Sequence, residues 1–105
     1  MYKIIVFVPL EYKEILKQSL FAVGAGRIGN YDCCCFETKG TGQFRPIKGA
    51  RPFIGELGKV ENVDEVRIEM VCKSQDLKNS ILALKENHPY ECPAYDIIKL
   101  EQEPY

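Results

Sequence analysis

Val66-Arg67-Ile68-Glu69-Met70-Val71-Cys72 carries the clearest period-two alternation in the chain. Val66, Ile68, Met70 and Cys72 fall on one face, and Arg67, Glu69 and Lys73 on the other, the pattern of a strand covered on one side. Downstream, Ser74 is placed to cap a helix that sets Leu77, Ile81 and Leu84 on one side, with Pro89 ending it. Pro93–Leu100 gives a last strand, and Glu101–Tyr105 is expected to be a frayed tail. Upstream, Lys3–Val8 (KIIVFV) is apolar on both faces, as a central strand requires. Pro9 stops that ladder. Tyr12, Ile15, Leu16, Leu20 and Val23 then recur at helical spacing up to Gly24.

The middle of the chain is less regular. Tyr31–Thr38 (YDCCCFET) is expected to form a second strand, with a third beginning near Gln43. Gly40–Lys59 holds five of the eight glycines. Here Lys39, Arg45, Lys48, Arg51 and Lys59 oppose the single acid Glu56. The order is therefore β-α-β-(β, long loop)-β-α-β in one domain, residues 1–105. The implied architecture is α+β, a ferredoxin-like two-layer sandwich. Two helices cover one face of an antiparallel sheet, and a long Gly-rich hairpin excursion spans residues 40–59. The bare opposite face makes self-association an expectation.

Composition excludes several classes. The chain has 105 residues, 46% hydrophobic and 28% charged, which is an ordinary globular balance for one domain. A formal net charge of −1 gives no global drive toward nucleic acid or anionic membrane. No apolar run reaches the roughly 20 residues of a spanning helix, and Met1-Tyr2-Lys3 leads straight into a strand without a signal segment. The five cysteines include the consecutive Cys33, Cys34 and Cys35, which cannot bridge one another without strain. Reduced thiols and a cytoplasmic setting are expected.

Four motifs carry chemistry. Gly24-Ala25-Gly26-Arg27-Ile28-Gly29 matches G-x-G-x-x-G but leaves a helix instead of opening one, so it is read as a helix C-cap and turn. The cysteine triplet lacks the converging ligands of a zinc site and is read as packing, with Cys34 and Phe36 on one strand face. A catalytic cysteine would need His88, the one histidine, as its partner. His88-Pro89-Tyr90-Glu91 offers an imidazole and a carboxylate in one turn. Either His88 and Glu91 take a divalent cation or a proton, or His88 is bonded locally while Pro89 fixes the chain's exit. The basic glycine loop either cradles a phosphate or carboxylate, with Phe44 and Phe53 to stack on a base, or packs on a neighbouring subunit.

Six strings together resemble a known family: VFVPLE at Val6–Glu11, GAGRIGNY at Gly24–Tyr31, GTGQFRP at Gly40–Pro46, G-x-x-P-F-I-G at Gly49–Gly55, VDEVRIE at Val63–Glu69 and HPYE-x-x-AYD at His88–Asp96. They are similar to the domain inserted in YqfO-type Nif3-like proteins, the GTP cyclohydrolase type 2 homologues. The resemblance implies a CutA/P-II-like fold assembled as a homotrimer, with dimer or hexamer as alternatives. It also implies that the family's dinuclear metal centre belongs to a flanking core domain. With one histidine, none of those metal ligands maps onto this sequence.

The function expected from this reading is a non-catalytic regulatory module that binds a small anionic ligand or a protein partner. Its cleft would be formed by the Gly29-Asn30-Tyr31 turn, the Thr41-Gly42 loop and the His88–Glu91 turn. Asn30, Tyr31, Thr41 and Gly42 would contact the ligand, and Arg67 with Glu69 would supply either a polar network or an anion contact. A divalent cation on His88 and Glu91 is the one cofactor the residues leave open, which gives a small metal-dependent enzyme as one alternative. A purely structural interaction module is the other.

Overall fold

A computed structural model describes residues 1–101, so most of the expected tail lies outside the described residues. The strands are β1 (Tyr2–Pro9), β2 (Phe36–Phe44), β3 (Glu61–Cys72) and β4 (Tyr95–Lys99), and the helices are α1 (Lys13–Ala22) and α2 (Ser74–Asn87). The sheet order is β2-β3-β1-β4 and each pairing is antiparallel. A 3-10 turn at Leu10–Tyr12 leads from Pro9 into α1.

The alternation that decides the fold does what its period requires. Val66, Ile68, Met70 and Cys72 pair in register with Val8, Val6, Ile4 and Tyr2, and all four are buried with Ile4, Val6 and Val8. Leu16, Leu20 and Phe21 of α1 and Leu84 of α2 seal the layer. Leu16, Leu20 and Leu84 have no exposed surface, and burying each contributes roughly 1.5–3 kcal/mol. At the margin of this layer Glu37 takes Lys17 Nζ at 2.6 Å and Lys13 Nζ at 2.9 Å. These two ammonium groups hold its carboxyl below the ordinary range.

Helix α1 ends as a Schellman motif. Ala25 N–H donates to Leu20 O at 3.2 Å, Gly24 N–H to Phe21 O at 3.2 Å, and Gly24 has φ +107°. A Cβ on Gly24 would stand 2.7 Å from the Asp76 carboxyl carbon, so this glycine also lets the first turn of α2 approach. The G-x-G-x-x-G match is thus a helix C-cap and turn, as its position implies.

The middle of the chain departs from expectation. Tyr31–Cys35 is not strand, and the two strands expected around residues 31–38 and 43 are a single strand, β2. The β2–β3 register would set residue 34 opposite Val71. That place is taken: Gly26 N–H donates to Val71 O and Cys34 N–H to Gly26 O, both at 2.8 Å. Cys33 has φ +55°, which breaks a ladder there. Cys34 and Phe36 therefore share no strand face, and the cysteines are free thiols. Gly40 and Gly42 lie within β2, so the hairpin excursion occupies residues 45–60.

Candidate functional site

The sheet face opposite the helices is built from the other half of the same alternation. Phe7 of β1 stands opposite Arg67 of β3, and Arg67 opposite Thr38 of β2. Over this face, the start of the hairpin excursion and the segment from Tyr90 to Ala94 border an open cavity of about 700 Å³. Its aromatic lining comes from Phe7, Phe44, Phe53 and Tyr90, with Ile47, Pro46 and Pro52 adding apolar surface. Such a volume and lining suit a small organic ligand. Phe44 and Tyr90 meet edge to face at 5.7 Å, and Phe53 meets Tyr12 at 5.6 Å. The loop is tied down by Gly58 N–H to Pro46 O at 2.7 Å and by Arg51 N–H to Glu91 Oε1 at 3.0 Å.

Lys39, Arg45, Glu65, Arg67 and Glu91 are the charged residues that border the cavity, and Glu65 and Arg67 are the two that β3 contributes. Glu65 is 8% exposed, and its Oε2 accepts from the Tyr90 hydroxyl at 2.8 Å. Burial first, then that hydrogen bond, pushes the Tyr90 hydroxyl far above its ordinary value, so it remains a donor. The Arg67 guanidinium lies over the Phe7 ring at 5.9 Å and makes a long 3.4 Å contact with Glu69 Oε1.

His88 sits behind the wall. Its Nε2–H donates to Phe7 O at 2.7 Å, and its Nδ1 accepts from Tyr90 N–H at 3.1 Å. A carbonyl can only accept, so the tautomer is fixed and both ring nitrogens are in use. Burial holds the imidazole below its ordinary pKa. Both ring nitrogens are thus engaged by backbone groups. Glu91 is exposed and bound to the Arg51 amide. Among the described residues no three His, Cys, Asp or Glu side chains converge as metal ligands. Burial pushes the Cys35 thiol up, the wrong direction for a nucleophile.

Of the site residues read from the sequence, Thr41, Gly42, Arg67 and Glu91 border the one cavity. Thr41 falls on the strand face of Glu37, away from the face that carries Gly42. Asn30 and Tyr31 lie elsewhere, in an exposed turn closed by reciprocal 2.9 Å hydrogen bonds between Ile28 and Tyr31. Glu69 borders a separate depression with Lys3, Ile28 and Phe36. Sequence reasoning missed Glu65, Tyr90 and Phe7. Extending the β3 alternation two residues back from Arg67 would have found Glu65.

No protein-family model matches the chain. A GTP cyclohydrolase 1 type 2 homolog of Bacillus subtilis (strain 168) is 48% identical over 102 residues, which are 97% of this chain and 27% of that protein. One of Staphylococcus epidermidis is 43% identical over 102 residues, again 97% of this chain and 28% of its own length. The solved structure of a Bacillus cereus protein related to NIF3 superposes with a TM-score of 0.83 at 40% identity, covering 96% of this chain and 26% of that one. The chain is homologous to one segment of the Nif3-like proteins. It spans about a quarter of the length of the curated relatives it matches. CutA1 from Pyrococcus horikoshii superposes with a TM-score of 0.70 at 18% identity, over 98% of this chain and 86% of its own. That likeness shows the fold: the chain is a CutA-like, ferredoxin-like α+β sandwich. No helix among its described residues is long and apolar enough to cross a membrane.

Proposed function

We propose that this Nif3-like segment is a non-catalytic binding module for a small anionic ligand, working in the cytoplasm as a homo-oligomer, with a trimer as the expected state. The observation that carries the reading is the cavity on the sheet face away from the helices, aromatic in lining and with the Arg67 guanidinium on its wall. An aromatic or otherwise apolar body would fill it while the anion meets Arg67. Occupation of both His88 ring nitrogens speaks against a metal-dependent enzyme built on His88 and Glu91. Self-association is supported by exposed Phe36, Phe53 and Ile98, large apolar side chains that a lone subunit leaves in water.

The test uses 8-anilinonaphthalene-1-sulfonate, a fluorescent aromatic anion, as a direct probe, with nucleotides and divalent cations titrated as competitors. Folded protein is expected to take up one dye per chain saturably, and Phe44→Ala to weaken uptake by about tenfold, the effect of roughly 1.4 kcal/mol. Absence of saturable uptake would sink the cavity reading. Native mass measurement tests assembly, and a monomer at micromolar concentration overturns that part.

A further inference from the structure

The buried polar side chains are Glu65, Ser80 and His88. Two of them have their polar atoms committed. Ser80 donates to Asp76 O at 2.7 Å and meets Cys72 Sγ at 3.5 Å, and His88 uses both ring nitrogens. Glu65 differs. Its Oε2 receives the Tyr90 hydroxyl, while its Oε1 receives no hydrogen bond from any described residue. A carboxylate has room for about four donors, and no buried side-chain oxygen or nitrogen among the described residues is left unpaired, so the spare capacity of Oε1 opens onto the solvent-filled cavity. The side chain lies across β2 at Gly42, where a Cβ would overlap the carboxylate. Glycine there keeps Glu65 against the cavity wall instead of out in solvent.

Arg67 follows two residues later on the same strand face, a rise of about 7 Å. Its cationic head is held loosely, over Phe7 and 3.4 Å from Glu69. The wall thus offers an acceptor of hydrogen bonds and a donor to anions side by side, next to aromatic rings.

We propose that Glu65 and Arg67 form a two-point reader for a zwitterion with an aromatic or bulky apolar body, a molecule of the amino-acid type. Glu65 Oε1 accepts from its ammonium, the Arg67 guanidinium binds its carboxylate, and the body lies among Phe7, Phe44 and Tyr90. This rests on the cavity reading above and adds the ligand class to it. Neither bond is made to water once the ligand fills the space, so each charged contact discriminates against a ligand that lacks its partner.

Three molecules sharing one indole ring provide the test: L-tryptophan with both charges, indole-3-propionate without the ammonium, and tryptamine without the carboxylate. Each is titrated calorimetrically and as a competitor of the bound anilinonaphthalene dye. L-Tryptophan is expected to bind about tenfold or more tighter than either analogue. Glu65→Gln keeps an acceptor for Tyr90 and should bring tryptophan and indole-3-propionate to equal affinity. Arg67→Gln should do the same for tryptophan and tryptamine. Gly42→Ala, which crowds the carboxylate without removing its charge, provides a second variant should Glu65→Gln melt early. Equal binding of the three, failure of all three to displace the dye, or selectivity unchanged in Glu65→Gln overturns the two-point reader. In each of those cases saturable dye uptake leaves the cavity reading standing, whereas a protein that takes up no dye loses both.

Discussion

On the helix side of the sheet, Val6, Ile68, Leu16, Leu20 and Leu84 are sealed from water. On the other side the same strands present Phe7, Gly42, Glu65 and Arg67 around a cavity of about 700 Å³. Both faces come from one alternation, since β1 and β3 turn successive side chains to opposite sides. The first face is filled with interdigitating aliphatic groups and has no room for a ligand. The second keeps charge, aromatic surface and space together, each of which a protein optimised for stability alone would remove. Stability and recognition are thus separated by the thickness of one sheet.

Leu20→Ala should break that contrast most forcibly. The side chain is fully buried, and such truncations cost about 2–5 kcal/mol, depending on how far the site collapses. Urea denaturation should show that loss while the remaining folded protein keeps its dye affinity. Phe44→Ala should show the reverse, with a smaller stability change and weaker dye uptake. If Leu20→Ala weakened the dye as strongly as Phe44→Ala, the two faces would not be independent.

Gly42→Ala should act across the second face with a smaller effect. The new methyl displaces Glu65 and takes the acceptor from the half-buried Tyr90 hydroxyl, a cost of about 1 kcal/mol, the worth of one hydrogen bond. In a Glu65→Ala background the same substitution meets no carboxylate and should cost less, giving a coupling of at least about 0.5 kcal/mol in a double-mutant cycle. Simple additivity would mean that the carboxylate already moves freely.

The sealed face was legible in the sequence because burial on one side imposes a period on the order of apolar and polar residues. Val66, Ile68, Met70 and Cys72 announced β3, and the first helix was set by Leu16 and Leu20. Residues 31–44 were not legible by the same means. Glycines 40 and 42 carry the composition of a loop, yet Gly42 lies in β2 because a side chain from β3 crosses it. The cysteine triplet has the composition of a strand, yet Gly26 already holds the Val71 carbonyl it would have paired with. Both facts depend on residues more than 20 positions away, beyond the reach of a local pattern. The candidate site was half legible for a similar reason. Arg67 and Gly42 stood out by type and place, whereas Glu65 acquires meaning through Tyr90 and Gly42, which the fold brings to it.

His88 joins the two regions, and acid should expose the seam between them. Its Nε2–H holds the Phe7 carbonyl of β1, and its Nδ1 holds the Tyr90 amide of the cavity wall. Burial is the largest influence on the ring and lowers its pKa; the Phe7 hydrogen bond and the Glu65 charge oppose it. A base with a lowered folded pKa takes up its proton first in the unfolded chain, so its stabilisation is complete above the ordinary value of 6.5 and is lost as pH falls below it. Thermal melts should therefore shift downward between pH 7 and pH 5, by no more than about 1.4 kcal/mol per pH unit for a single proton. His88→Gln should flatten that slope. The Glu37–Lys17 pair on the helix side gives way lower, since Glu37 is held below its ordinary 4.5 and its contribution goes only as pH drops beneath that. Acid should thus loosen the cavity wall before the rim of the core. Dye affinity that falls between pH 7 and pH 5 while helical circular dichroism holds would establish that order, and a single coincident transition would refute it.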